Sequence, residues 1–401
     1  MGGTELHTQE VARRQAADGH EVHILCPSAQ NETDVKVEIE QGVTVHRVSS
    51  GARGRTLVFF NSFHFPKLVE AFETLLASAD LVHVQHLMGV PLALVEKCIA
   101  ANIPYIITLH DYWFPCANAQ LYTNYDQSIC AGPDAQYHNC GRCALARIGL
   151  DRAKPLAYAV APIMRYRQKR LKTIFAGAAK IIAPTQFVHD IYQQNGYTSR
   201  KLFVLRHGID VPQSLIDTAK QTAERLAQFH VVFVGSIAQQ KGVHVLVEAL
   251  RQLPSVRLTI AGGLDSFPEY VAGLKDISAE SPNIHFAGRI PHNAVWSLLA
   301  SADAVVLPTL WYEVSPLTID EFFAAGVPII ASDIGAMSEK IRHGVDGLLV
   351  RPNAPTELKT AIESLMHNPD LLEQMRQNIS PVRTIETYVA ELEAVYQDVL
   401  S

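Results

Sequence analysis

The chain predicts an α/β fold built on two parallel sheets, and three observations carry that prediction. Short apolar runs rich in Val, Ile and Leu alternate with stretches of helical period through the first half. The second half repeats the alternation, which argues for parallel strands joined by right-handed crossovers. At 401 residues the chain is also long enough for two cores of this kind. A net charge of −6 argues against nucleic-acid binding by the molecule as a whole. No apolar run approaches the ~20 residues of a membrane span, and the start lacks a basic-then-apolar leader. Together these features point to the cytoplasm, where thiols stay reduced.

In chain order, Gly2-Gly3-Thr4-Glu5 runs straight into an amphipathic segment that ends before the strand EVHILCP (21–27). Further strands are expected at VTVHRVSS (43–50), LVHVQH (81–86), YIITLHD (105–111) and KIIAPT (180–185), with helical patterns near 66–78, 89–101 and 186–194. The loop-like, proline-containing HGIDVPQSL (207–215) is the best candidate boundary, giving domains of 1–205 and 206–383. The second domain then reads HVVFVGSI (230–237), RLTIAGG (257–263), NIHFAGRI (283–290), AVVLPTL (304–310), PIIASDI (328–334) and GLLV (347–350) as strands. The last stretch, 384–401, is helical by period.

The most informative stretch is Glu313-Val-Ser-Pro-Leu-Thr-Ile-Asp-Glu321. Ser315 is a good N-cap and Pro316 suits the first helical position, where a missing N–H costs nothing. The free N–H groups of Leu317 and Thr318 would then point out of the helix start, where phosphate binds well. Glu321 lies about 7.5 Å along the axis from Pro316, and Glu313 stays in the loop before it. A ligand with phosphates at the helix end and a hydroxylated ring on either side would meet one carboxylate per ring. That describes a nucleotide-sugar. An isolated pair of this spacing is more often a capped helix with two solvated glutamates. Here, however, AVVLPTL leads into the motif and PIIASDI follows it, so the helix start sits at the carboxyl end of a strand, where open α/β sheets bind ligands.

With these residues the sequence resembles the retaining, metal-independent glycosyltransferases of family 4, from residue 2 to the end of the chain. The resemblance implies two facing Rossmann-like domains of the GT-B type, the first binding the acceptor and the second the donor, with the C-terminal helix packing back on the first. It implies that Glu313 contacts the donor sugar and Glu321 the ribose. A glycine pair such as Gly2 and Gly3 follows the first strand in the family and approaches the donor phosphates. Only Met1 precedes it here, too little to form that strand, so the first sheet is expected to lack its first strand and the start to lie downstream of the natural one. His110 ends a strand at the place of a family histidine close to the donor sugar, with Asp111 either orienting its imidazole or acting on the acceptor. Gly235-Ser236-Ile-Ala-Gln-Gln-Lys241-Gly242 matches a motif with two basic groups on the diphosphate. Lys241 is kept and Ser236 replaces the arginine, a cation that Arg206 or Arg289 could supply. His207-Gly208-Ile209-Asp210 stands where the family has a hinge turn. Gly335 with Ser338-Glu339, and Arg289 near the nucleobase pocket, match further positions of the family pattern.

The expected function is transfer of a hexosyl group from a nucleoside-diphosphate sugar to a hydroxyl acceptor on a glycan or lipid carrier, as in polysaccharide biosynthesis. His110, Glu313 and Lys241 are the catalytic candidates. Gly2, Gly3, Ser236, Lys241, Arg289, Glu313, Ser315, Leu317, Thr318 and Glu321 are the donor-binding candidates. No D-x-D occurs in the chain, so no catalytic cofactor is expected. A nucleotide-sugar epimerase of the same architecture and a catalytically silent donor-binding subunit are the rival readings. A dehydrogenase is disfavoured, because no G-x-G-x-x-G follows a strand.

Cys116, Cys130, Cys140 and Cys143 cluster in a loop rich in turn residues. In a reducing compartment they read either as a structural zinc site or as free or redox-active thiols. Cys26 and Cys98 lie in apolar patterns and are expected in the core. The stretch 147–172 is basic, with Arg152, Lys154, Arg165, Arg167, Lys169, Arg170 and Lys172 against the single acid Asp151. It reads as a solvated helix face or as a peripheral contact for anionic lipid headgroups.

Overall fold

The computed structural model describes residues 2–28, 35–49, 64–150, 152, 154–222 and 226–401. Ser50 of the second expected strand and Asp151 of the basic stretch lie outside these. The chain divides into two compact units, Met1–Gly208 with Ile385–Ser401, and Ile209–Thr384.

The first unit opens on a helix, Gly3–Ala17. Strands β1 (His23–Ser28), β2 (Val35–Glu40) and β3 (Val43–Ser49) form a sheet in the order β1-β3-β2, with β1 parallel and β2 antiparallel to β3. Strands β4 (Val82–Val84), β5 (Tyr105–Thr108), β6 (Lys180–Ala183) and β7 (Leu202–Val204) form a second sheet in that order, parallel throughout. No ladder joins β1 to β4 among the described residues, so the sheet of the first unit is interrupted there. The C-terminal helix, Ile385–Leu400, lays Ile385, Tyr388, Val389 and Leu392 on Val11, Ile106 and Ile182. That i, i+3, i+4, i+7 spacing is one face of a helix, which is why its period is legible in the sequence. Gln15 of the first helix donates to Glu393 of the last at 2.9 Å.

In the second unit β8 (Phe229–Val234), β9 (Val256–Ala261), β10 (Ile284–Gly288), β11 (Ala304–Leu307), β12 (Ile329–Ser332) and β13 (Gly347–Val350) form one parallel sheet, ordered β10-β9-β8-β11-β12-β13. Successive side chains of each strand point to opposite faces. Val231 and Phe233 therefore join one core with Leu246 and Leu250, and Val232 joins the other with Trp296 and Phe322. Both faces are thus covered by helices. The chain runs from β8 outward to β10, then crosses back to β11 on the other side of β8. The carboxyl ends of β8 and β11 flank the point where the order reverses, the position at which doubly wound sheets bind their ligands.

Candidate functional site

Two loops meet at that reversal. After β8 the chain passes Gly235 and Ser236 into a single 3₁₀ turn, Gln239–Lys241. After β11 it passes Thr309 and Trp311 to Glu313. The loops are tied together: Leu310 N donates to Gln240 O at 2.8 Å, and Thr309 Oγ1 to the same carbonyl at 3.2 Å. The approach is close enough to demand glycine at 242. Its φ is +68°, and a Cβ there would stand 1.8 Å from the carbonyl oxygen of Pro308.

This tie brings Lys241 Nζ to 2.6 Å from Glu313 Oε1. The same oxygen accepts from Trp311 Nε1 at 2.8 Å and Thr309 Oγ1 at 3.4 Å. Glu313 is only 9% exposed, so it is an aimed, desolvated carboxylate rather than a solvated loop residue. Lys241, Thr309, Glu313, Pro316 and Thr318 line a cavity of about 60 Å³ together with Gly235 and Met337.

The helix that follows is Leu317–Ala324, with Pro316 as N-cap. This corrects the expected helix start by one residue. Pro316 is extended (ψ 105°), so it stands outside the helix, and Ser315 caps nothing: its hydroxyl is buried with no hydrogen-bond partner. Leu317 and Thr318 still supply the first two N–H groups, whose hydrogen-bond partners within a helix are missing by geometry. Lys340, at the end of the short helix Ala336–Lys340, reaches this start. It donates to Pro316 O at 3.3 Å and pairs with Asp320. Glu321, a turn further on, meets His292 Nε2 at 3.2 Å, and that hydrogen bond raises the pKa of His292. Ser236 and Arg289 are exposed just past β8 and β10, and Arg289 lies beside Gly263 at the end of β9. Ser338 donates to Asp333 at 2.5 Å.

The remaining candidates lie in the first unit. Gly2 is the N-cap of the opening helix, its N–H held by Glu5 at 2.8 Å, and Gly3 is the first helical residue. His110 follows β5 and donates Nε2–H to Gln85 Oε1 at 2.7 Å. Asp111 does not orient it. Asp111 instead holds His86 at 2.6 Å and the N–H of Trp113 at 2.7 Å, because the chain turns sharply after β5. Burial lowers the pKa of His86, and the charge and hydrogen bond of Asp111 more than offset this, so the net shift is upward. His110 stacks on His207 with ring centroids 4.9 Å apart, and His7 sits 4.1 Å from His207. Donor atoms of these three imidazoles lie within 4.8 Å of one another, the one such group of three or more among the described residues. Burial, and then the charges of His7, His83 and His86, push the pKa of His110 well below its ordinary value. It is neutral at physiological pH, with Nδ1 left as an acceptor.

The four clustered cysteines are free and do not form such a compact group. Cys98 is fully buried and Cys26 half-buried. The basic stretch is not a uniform solvated face. Arg167 is 2% exposed, whereas Leu156, Tyr158, Ile163 and Tyr166 on the same helix, Lys154–Gly177, are about half exposed (49–63%). Trp311, Thr309 and Lys340 were not singled out by sequence reasoning. Only proximity in space marks them.

A family model described as Glycosyltransferase Family 4 matches residues 1–213, more than half of the chain. The chain belongs to glycosyltransferase family 4. A second model, Glycosyl transferases group 1, matches residues 217–380. A D-inositol 3-phosphate glycosyltransferase of Paenarthrobacter aurescens is 24% identical over 394 residues, covering 93% of this family 4 chain and 86% of the relative. Two other curated relatives are matched over 46% and 40% of their own length, so the chain spans less than half of each. Among solved structures, sucrose-phosphate synthase of Thermosynechococcus elongatus superposes with a TM-score of 0.75 at 20% identity, over 99% of this chain and 94% of that one. The Anabaena protein HepE, solved with UDP-glucose, superposes with a TM-score of 0.70 at 18% identity, over 99% and 96%. These likenesses show the fold, two Rossmann-like domains of the GT-B type.

Proposed function

We propose that this family 4 protein is a retaining glycosyltransferase that moves a hexosyl group from a nucleoside-diphosphate sugar to a hydroxyl of a glycan or lipid-linked acceptor. The observation that carries the proposal is the Lys241–Glu313 pair at the sheet's reversal point, 2.6 Å apart and largely withdrawn from water. A bound diphosphate competes for the Lys241 ammonium and leaves the Glu313 carboxylate to accept sugar hydroxyls. The helix-start amides of Leu317 and Thr318 add their partial positive charge on the phosphates. With Ser236 in place of a second cation, Lys340 and Arg289 are the cations that make up the charge. These groups stabilise the leaving diphosphate as the glycosidic bond breaks, where fixed donors contribute most. Glu321 binds the ribose and His110, neutral and fixed by Gln85, contacts the transferred sugar. That HepE was solved with UDP-glucose supports a nucleotide-sugar donor. No helix among the described residues is long and apolar enough to cross a membrane. The exposed Leu156, Tyr158, Ile163 and Tyr166 among the cations of 147–172 support a peripheral contact with anionic lipid.

The test is a panel of nucleoside-diphosphate hexoses with candidate acceptors, following free diphosphate and glycosylated product and reading the new anomeric configuration by NMR. Glycosylated product with the donor's configuration is expected. Sugar isomerised without transfer would mean an epimerase. Donor binding with no turnover by any acceptor would mean a silent subunit.

A further inference from the structure

Three histidines far apart in the chain meet inside the first unit. His7 lies in the second turn of the opening helix, Gly3–Ala17, while His110 and His207 follow the ends of β5 and β7. Those strands belong to one parallel sheet, so both residues stand at its carboxyl edge, where open α/β sheets bind ligands. His7 and His207 are 4% and 6% exposed and His110 is half-buried, so the group is packed in place and meets solvent through the His110 ring. Tyr388 of the C-terminal helix backs it, with ring centroids 4.8 Å from His7 and 5.5 Å from His207.

A single buried histidine is ordinary core. Here each of the three offers a ring nitrogen, and these nitrogens lie within 4.8 Å of one another, with no carboxylate or thiol in the group. The proposed transfer uses His110 alone and gives His7 and His207 no part. A second observation separates ligation from mere packing of rings. Gln85 follows β4, the neighbour of β5, and its Oε1 accepts from Nε2 of His110 at 2.7 Å. An amide oxygen accepts and never donates, so Nε2 carries the proton and Nδ1 the lone pair. Histidines that bind metals are oriented in this way, by a carbonyl or carboxylate on the other ring nitrogen.

We propose that His7, His110 and His207 form a three-imidazole site for one Zn²⁺, with Gln85 as the residue that positions His110 through its other nitrogen. Imidazole ligands favour zinc and its transition-metal neighbours, whereas Mg²⁺ and Ca²⁺ take oxygen. A Zn–N length of about 2.0–2.1 Å puts tetrahedral ligands about 3.4 Å apart. The widest pair of nitrogens therefore has about 1.4 Å to close, a distance within reach of side-chain torsion. Three neutral ligands leave the fourth position open and the double charge undiminished, so the ion completes its shell with water or an anionic group. Bound there, it ties the opening helix to the carboxyl edge of the sheet.

The untagged full-length protein, reduced, is offered Zn²⁺ in the presence of excess Mg²⁺, dialysed, and assayed for metal by mass spectrometry. About one zinc per chain is expected, with a melting temperature above that of the stripped protein. Co²⁺ in its place should give visible d–d bands of nitrogen and oxygen ligation without thiolate charge-transfer bands. His7→Ala and His207→Ala should each lose the metal. Gln85→Leu should weaken zinc binding by about ten- to a hundredfold, and Gln85→Glu, which can still accept from Nε2, should restore it. The Co²⁺ spectrum of the unaltered protein decides independently of whether the histidine variants fold. A protein that retains no zinc overturns the proposal and leaves the three rings as aromatic packing. So do thiolate bands in the Co²⁺ spectrum, which would put the ion on the cysteines, or full zinc retention in both folded histidine variants.

Discussion

At the scale of single residues the candidate site turns on one buried carboxylate with three donors on one oxygen. Glu313→Gln keeps the shape and can still accept from Trp311 and Thr309, but it loses the charge that answers Lys241 and that the proposed transfer places at the sugar. It should cut turnover at least about tenfold with little change in melting temperature. Lys241→Ala should cut turnover as well and destabilise the protein more, because it leaves Glu313 buried without its cation. Equal activity in either variant, measured with the best donor of the panel, would remove this pair from the mechanism. Glu321→Ala should instead weaken nucleoside-diphosphate affinity, measured by calorimetry, since its side chain stands at the helix rather than in the loop. His83 makes a separate, pH-dependent contribution. It is held between Tyr396 at 2.5 Å and Thr108 at 2.7 Å, and burial, then the charge of His7, lower its pKa to about 3. The folded value lies below the unfolded one, so the unfolded chain takes up the proton first as the pH drops. The stabilising contribution is complete above about pH 6.5 and is lost as the pH falls toward 3, at up to about 1.4 kcal/mol per pH unit. Melting temperatures from pH 7 to 4 should fall, and His83→Gln should flatten that fall. An unchanged slope in the variant would show that other groups carry the acid lability.

At the scale of elements, the most vulnerable link is the tie between the loops after β8 and β11. Gly242→Ala adds a methyl that meets the Pro308 carbonyl and forces a left-handed φ on alanine. It should cost at least about 1 kcal/mol and should raise the donor KM by shifting Lys241. A variant with unchanged melting temperature and KM would show that the loops separate freely. The sequence made the parallel strands legible because buried strands read as unbroken Val, Ile and Leu runs, as in AVVL (304–307) and PIIAS (328–332). Two strands escaped that reading. β2, VKVEIE, alternates apolar and charged residues on an exposed ribbon, and its Ile39 is 77% exposed. That is a real period-2 signal without a buried run. β7 has three residues, too few to show any period. The pair Glu313 and Glu321 was marked in the sequence by its spacing together with the strands that flank it, not by spacing alone. The cation at the helix start was not, because Lys340 arrives from an element 20 residues past its partner Asp320. Adjacency in sequence left Asp111 either orienting His110 or acting on the acceptor, and the turn after β5 presents its carboxylate to His86 instead of His110.

At the scale of the whole molecule, the proposed transfer draws the charge that opposes a leaving diphosphate from the protein itself. Lys241, Lys340, Arg289 and the amides at the start of Leu317–Ala324 all belong to the second unit, and Glu313 is already committed to three donors. A hard cation would need several oxygen ligands converging on the phosphates. Among the described residues no group of three carboxylates converges in this way. Transfer by this family 4 protein should therefore survive brief treatment with excess EDTA, assayed at once so that a metal held more slowly elsewhere in the chain is retained. Added Mg²⁺ or Mn²⁺ should leave the rate unchanged, and raised salt should weaken donor binding, since fixed cations on an anionic ligand are screened. A rate abolished by EDTA and restored specifically by Mg²⁺ or Mn²⁺ would mean that the diphosphate is bridged by a metal. The side-chain and helix-start cations would then be positioning the nucleotide rather than stabilising its departure.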